Sequence, residues 1–255
     1  MSGRLVVVGI GPGGADLITP AATAALAQAS DLVGYGPYLD RVPMRHAGQM
    51  RHASDNREEI ARARFALELA ATGRQVAVVS GGDPGVFAMA AAVFEAVEAG
   101  EPHWRTLDIA VEPGVTAMLA AAAEAGAPLG ADFCAISLSD NLKSWETIER
   151  RLRAAAEADF VIALYNPASR ARRHQLGAAF DLLASVKGPE TVLLLVRAAG
   201  TPRAELTVTT LGKADAAQAD MRTLVIVGSS ETRIITRQGQ PPWVYTPRRE
   251  GGIGP

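Results

Sequence analysis

Short runs of β-branched and aliphatic residues alternate along this chain with Ala-rich stretches whose apolar positions recur at helical spacing. That alternation is the pattern of an α/β fold. The short runs predict strands at 5–8, 31–34, 75–80, 107–111, 134–139, 160–165, 191–196, 206–210 and 223–227. The longer stretches predict helices at about 20–29, 56–72, 86–99, 115–125, 144–158 and 171–185. Two helix starts carry their own signals: Thr19-Pro20 is a capping residue followed by Pro at the first helical position, and Asp55 with Glu58 fits a capping box. Nine strands are many for one open sheet of this size. The turn residues Glu112-Pro113-Gly114 mark a boundary. We therefore expect an N-terminal α/β domain over 1–113 with a mostly parallel sheet, a C-terminal α/β domain over 114–245, and a tail over 246–255. The last three strands lie close together, which implies antiparallel pairing and a mixed sheet in the second domain.

Composition narrows the class. Of 255 residues, 48% are hydrophobic and 20% charged, enough apolar surface to offset the entropy of ordering, so wholesale disorder is excluded. No apolar run reaches the roughly 18 residues of a membrane span, and Arg4 leads straight into a strand-like LVVVG, so neither a membrane protein nor a signal peptide is expected. Twenty-five basic against 27 acidic side chains give a net charge of −2, which speaks against a nucleic-acid partner. Cys134 is the single cysteine, so no intrachain disulfide and no Cys-rich zinc site can form, in keeping with a cytoplasmic location. In its strand Cys134 reads as a small buried hydrophobe, and no metal site is expected.

Three glycine-containing loops follow strands. The first, Gly9-Ile10-Gly11-Pro12-Gly13-Gly14, matches the GxGxxG dinucleotide fingerprint literally. That fingerprint needs a helix beginning at the glycines and an acid at the end of the next strand. Here the helix signal comes later, at Thr19-Pro20, the second strand ends in Val33-Gly34-Tyr35, and Pro12 lacks an N–H, so a nicotinamide enzyme is disfavoured. The second loop is Ser80-Gly81-Gly82-Asp83-Pro84-Gly85-Val86-Phe87 and the third is Glu112-Pro113-Gly114-Val115-Thr116-Ala117. Asp83 and Pro84 could simply cap and begin a helix; equally, Gly81 and Gly82 let a ligand approach the backbone. All three loops fall at the carboxyl ends of strands, where open α/β sheets bind ligands.

In order and spacing, VGIGPG, SGGDPGVF and EPGVTA resemble the tetrapyrrole (corrin and sirohaem) methyltransferase family over nearly the whole chain. Within it, GYGPYL at 34–39, SGGDPGVFAMA at 80–90, DFCAISLSDNL at 132–142 and Trp145 resemble the branch acting on precorrins in cobalamin biosynthesis. The resemblance implies two α/β domains with S-adenosylmethionine in a cleft between them, a tetrapyrrole substrate and a homodimer. Carried over residue by residue, it implies cofactor contacts from Pro12, Gly81, Gly82, Asp83, Val86, Thr116, Ala117, Tyr165, Asn166, Ala198 and Ala199. Asp83 would accept hydrogen bonds from the cofactor, Thr116 would meet its polar tail, and Val86 would pack on it.

In that branch methyl transfer accompanies contraction of the macrocycle, C-20 leaving the ring as an acetyl group after its hydroxyl loses a proton, and this calls for a general base. Asp140 and Asp16 are the candidates; Asp140 with Ser139 reads first as a helix cap. A tetrapyrrole fringed by carboxylates would meet apolar surface ringed by Arg. The stretch 35–57 offers Tyr35, Tyr38, Arg41, Arg45, His46, Arg51, His52 and Arg57, and equally reads as a solvated connection. Arg170, Arg172, Arg173, Arg197, Arg233 and Arg237 could share the carboxylates. Other ring positions, cobalt-containing intermediates and a non-catalytic nucleotide-binding module stand as alternatives.

Overall fold

The computed structural model describes residues 3–56, 58–168 and 174–249; Arg57, Arg170, Arg172, Arg173 and the last residues of the expected tail lie outside this range. The chain divides into two compact units, Met1–Ala117 and Met118–Pro255.

The first unit contains β1 (Arg4–Gly9), α1 (Pro20–Gln28), β2 (Asp31–Tyr35), α2 (Gly36–Leu39), β3 (Met50–Ser54), α3 (Glu59–Ala71), β4 (Gln75–Ser80), α4 (Met89–Ala99) and β5 (Asp108–Glu112). Its five strands form one sheet in the order β3-β2-β4-β1-β5, all parallel. Period-two alternation sends Leu5, Val7, Val33, Val76 and Val78 to one face, against Ala63, Ala66, Leu67 and Ala70 of α3 and Val93 and Ala96 of α4. Val6, Val8, Leu32, Ala77 and Val79 take the other face, against Ala22 and Leu26 of α1 and Leu39 and Val42 beyond β2. Full burial of a Val or Leu is worth about 1.5–3 kcal/mol, so this two-sided register is strongly fixed. The small side chains of the Ala-rich helices bring helix and sheet close.

At the amino edge of this sheet the fully buried Asp31 accepts from His52 Nε2 at 2.8 Å, from Ser30 Oγ at 2.7 Å and from Arg74 Nε. Burial pushes its carboxyl up, but the hydrogen bonds from Arg74, Ser30 and His52 and the Arg74 charge outweigh this and hold it below its ordinary value. A depressed carboxyl contributes stability that is present above the unfolded value, about 3.9, and is lost as the pH falls through the folded one. Asp31→Asn is therefore expected to cost about 2 kcal/mol at neutral pH, since Arg74 and His52 are partly solvated, and to flatten the loss of stability below about pH 4. Urea unfolding at pH 7 and pH 3 reads both effects; parallel losses on acidification in the two proteins would contradict the assignment.

The second unit contains α5 (Ala117–Ala125, entered from the last residue of the first), β6 (Gly126–Ala127), β7 (Phe133–Ser137), α6 (Trp145–Glu157), β8 (Val161–Tyr165), α7 (Gln175–Lys187), β9 (Val192–Arg197), β10 (Glu205–Thr210), β11 (Thr223–Val227), β12 (Arg233–Arg237) and β13 (Gln240–Tyr245). Five of these strands make a mixed sheet, β10-β9-β11-β8-β7, with β7 and β8 parallel and the β8–β11, β9–β11 and β9–β10 pairs antiparallel. Hence β7, β8 and β9 run the same way and end on one edge. Ile136, Ile162, Leu164, Leu193, Leu195 and Val225 pack on Ile148 and Leu152 of α6 and on Leu176, Phe180 and Leu183 of α7. A small sheet, β12-β13-β6, completes the unit.

Several expectations need correction. The stretch after Tyr35 is no plain connection, because Met50–Ser54 joins the sheet as the edge strand β3. β6, β12 and β13 were not expected either. α4 begins at Met89, five residues after Pro84: Phe87 takes φ +53°, a left-handed conformation that no right-handed helix can pass through. Asp83 therefore does not cap α4. Only half of the expected capping box forms, Asp55 N–H donating to Glu58 Oε2 at 2.9 Å, and α3 starts at Glu59 with no side-chain cap. Among the described residues no helix is long and apolar enough to cross a membrane.

Candidate active site

The carboxyl edge of the first unit's sheet gathers the three glycine loops. Gly11 and Gly82 form an isolated bridge: Gly82 N–H donates to the Gly11 carbonyl at 2.9 Å and Gly11 N–H to the Gly82 carbonyl at 3.2 Å. Asp83 then joins the second loop to the third, its Oδ1 accepting from Gly85 N–H at 2.8 Å and its Oδ2 from Gly114 N–H at 3.0 Å. Gly82 has φ +65°, and a Cβ there would meet nothing nearer than the Thr116 Cα at 3.9 Å. Backbone atoms of Val115, Thr116 and Ala117 thus stand at van der Waals distance from the Gly82 Cβ position, which leaves the two loops facing each other through main chain.

Of the predicted cofactor contacts, Pro12, Gly81, Gly82, Asp83, Val86, Thr116 and Ala117 all sit in these three loops. Pro12 and Val86 are half-buried, and Thr116 is buried. Asp16 lies just beyond the first loop in a short 3-10 turn, Ala15–Leu17, and is exposed.

The expected substrate residues separate into two groups. Tyr35 and Tyr38 meet edge to face, ring centroids 5.4 Å apart, and the Tyr38 ring rests on Gly81, where a Cβ would come within 2.6 Å of it. Burial raises the Tyr38 hydroxyl above its ordinary value. Arg41 Nη2 reaches three carbonyls of the first loop, those of Ile10, Gly11 and Gly13, at 2.9, 3.0 and 3.2 Å. Its guanidinium is lowered by burial and carries no carboxylate partner among the described residues. Arg41 is thus a brace for the loop, a use the sequence did not suggest. His46 and Arg51 are turned elsewhere, and Arg45 is exposed. His46 Nε2 faces the Ala29 carbonyl at 3.2 Å at the end of α1, the Arg45 backbone N–H donates to Gln49 Oε1 at 3.1 Å, and Arg51 Nη2 donates to the Val42 carbonyl. His46 and Arg51 are not brought together with the glycine loops, and His52 is held by Asp31 at the opposite edge.

In the second unit the predicted residues likewise fall on the edge where β7, β8 and β9 end. Tyr165 closes β8, its hydroxyl accepting from Met118 N–H at 3.1 Å, and Asn166 follows with its Nδ2 donating to Ser137 Oγ at 2.9 Å. Ala198 and Ala199 follow β9 and are buried. Asp140, exposed on the loop after β7, accepts at its Oδ2 from Gln175 Nε2 at 3.0 Å. Asn166 and Ala198 both have φ +52°. Each costs on the order of 1 kcal/mol as a non-glycine residue, and such strain collects at functional sites. With Phe87, three of the four non-glycine residues of positive φ among those described lie in loops singled out from the sequence.

Among the described residues no cluster of three His, Cys, Asp or Glu side chains could hold a metal ion. What both edges offer is main-chain donors and acceptors in Gly- and Ala-rich loops, with a few polar side chains.

Each unit is thus an α/β layer structure with a ligand-type edge at its strand ends. The chain belongs to the tetrapyrrole (corrin/porphyrin) methylases, whose pattern it matches over residues 4–215. A protein of Sinorhizobium sp named precorrin-3B C(17)-methyltransferase is 60% identical over 252 residues, 99% of each chain. A crystal structure of the methyltransferase CobJ matches with a TM-score of 0.90 at 53% identity, over 96% of this chain and 100% of that one. The uroporphyrin-III C-methyl transferase of Thermus thermophilus, solved with S-adenyl homocysteine, shares the fold at a TM-score of 0.67 and 24% identity, over 89% of this chain and 97% of that one.

Proposed function

We propose that this chain is an S-adenosylmethionine-dependent methyltransferase of cobalamin biosynthesis, adding a methyl group to C-17 of precorrin-3B and contracting the macrocycle to precorrin-4. The observation that carries this reading is the 60% identity spanning 99% of both chains with the Sinorhizobium enzyme. The three loops suit a cofactor held by main chain, since Gly11 and Gly82 join the first two through backbone and Gly82, at φ +65°, carries no side chain there. The residues proposed to hold it are Pro12, Gly81, Gly82, Asp83, Val86, Thr116, Ala117, Tyr165, Asn166, Ala198 and Ala199. The cofactor supplies a methyl group on a sulfonium, already activated as a leaving group.

What the chain must add is alignment and exclusion of water. Arg41 keeps the first loop in shape, and Tyr35 and Tyr38 offer aromatic surface to a flat macrocycle. His46 and Arg51 would reach substrate only by leaving their present partners, whereas the exposed Arg45 is a carboxylate contact without that cost. Asp140 is the better-placed base for the C-20 hydroxyl, at a strand end among polar side chains; Asp16 is the second candidate. We place the enzyme in the cytoplasm as a homodimer, without nucleic acid or membrane partners. Incubating the purified protein with S-adenosylmethionine and precorrin-3B should give a product one methyl group heavier with a changed chromophore. A mass unchanged after full incubation would refute the reading.

A further inference from the structure

Resting on this functional reading, we propose that Gln175 is the positioning residue that prepares Asp140 to accept a proton. Gln175 opens α7 and is 4% exposed. Its Nε2 donates to Asp140 Oδ2 at 3.0 Å, while its Oε1 is buried with no donor among the described residues. The orientation follows from chemistry. An ionised carboxylate only accepts, so the amide must turn its NH₂ toward Asp140, and the amide oxygen is then stranded. Buried acceptors without donors are rare in folded proteins, and each asks for a reason.

The pair supplies one. A protonated Asp140 carries both an acceptor oxygen and an O–H donor. Side by side, a carboxylic acid and a primary amide close two hydrogen bonds: N–H of Gln175 to the acid carbonyl, and O–H of the acid to Gln175 Oε1. The stranded oxygen is therefore satisfied once Asp140 has taken up a proton. The support around the pair is firm. Ser137 Oγ accepts from Asn166 Nδ2 at 2.9 Å and from Ser139 N–H at 3.3 Å, and Leu138 N–H donates to the Tyr165 carbonyl at 2.9 Å, fixing the strand end that carries Asp140. The proton comes from a substrate hydroxyl, that on C-20. Its O–H bond breaks with the electron pair staying on oxygen, and a new O–H bond forms on Asp140. No oxidant, reductant or metal enters the balance.

The test uses the full chain with S-adenosylmethionine and precorrin-3B, following methyl addition by mass and contraction by absorption. Gln175→Met fills the buried position with a side chain of similar size and removes both the donor and the stranded oxygen. Its midpoint of thermal unfolding should equal or exceed that of the parent, since an unsatisfied polar atom is gone. Contraction should slow by roughly 100-fold, the usual loss when general-base assistance fails, with methyl addition slowed far less, so that methylated, uncontracted material accumulates. In an Asp140→Asn background, exposed and tolerant of change, contraction should already be slow and Gln175→Met should add nothing further. Contraction at the parental rate in Gln175→Met would overturn the proposal. So would methyl addition and contraction falling together, or a further loss in the Asp140→Asn background. A parent protein that adds no methyl group fails the functional reading itself, a result distinct from all of these.

Discussion

Asp83→Ala is expected to abolish measurable S-adenosylhomocysteine binding while leaving a folded but weakened protein. The carboxylate is the tie between the second and third loops, through Gly85 N–H at 2.8 Å and Gly114 N–H at 3.0 Å. Hydrogen bonds to a charged group are worth about 1.5–3 kcal/mol each. Losing both, with water partly replacing them at this half-buried position, should cost about 3 kcal/mol of stability. The effect on ligand is larger in kind, because Asp83 ties down the loop that carries the proposed cofactor contacts Thr116 and Ala117. Calorimetric titration reads affinity, and urea unfolding reads stability. Affinity kept at the parental value would refute the role given to this residue.

Gly114→Ala should be still more damaging to the fold. A Cβ at this position would lie 2.3 Å from the Gly82 carbonyl oxygen and 3.0 Å from the Cα and C of Gly9. Every one of those atoms is backbone, so no side-chain rotation relieves the clash and the three loops must part. Overpacking ordinarily costs 1–3 kcal/mol; here about 3 kcal/mol or more is expected, with cofactor affinity lost as well. Gly177→Ala is the control of opposite sign. Gly177 lies inside α7 with nothing within 4 Å of its Cβ position, and Ala there should add about 0.5–1 kcal/mol. Thermal unfolding of the two variants side by side separates a close backbone approach from a general sensitivity to added methyl groups.

What the chain reveals by inspection depends on how local the cause is. β4 and β11 are legible end to end because their apolar runs, Gln75–Ser80 and Thr223–Val227, are almost wholly buried. α1 is legible because Thr19 Oγ1 caps it by accepting from Ala22 N–H at 3.1 Å, within one turn. β3 is not, since MRHAS is polar and half-exposed, and only its register with β2 makes it a strand. β12 and β13 fail similarly: Pro241 and Pro242 look like turn residues, and the pairing with β6 crosses more than a hundred positions. The start of α4 misleads because Asp83-Pro84 has the form of a cap, while the carboxylate is committed to Gly114, thirty-one positions away. The loops of the candidate site were legible as glycine patterns. The bracing by Arg41 was not, because its partners are carbonyls of the first loop and carry no side-chain signature. Gln175 left no signal either, since an orphaned amide oxygen exists only once α7 is packed.

Methyl transfer to one carbon of one macrocycle is read by supplying S-adenosylmethionine labelled with carbon-13 in its methyl group, together with precorrin-3B, and locating the label by nuclear magnetic resonance. A single new labelled methyl on C-17 of a contracted ring is expected. Label at C-11 or C-20, label accepted only by a cobalt-containing intermediate, or cofactor bound with no label transferred would contradict it.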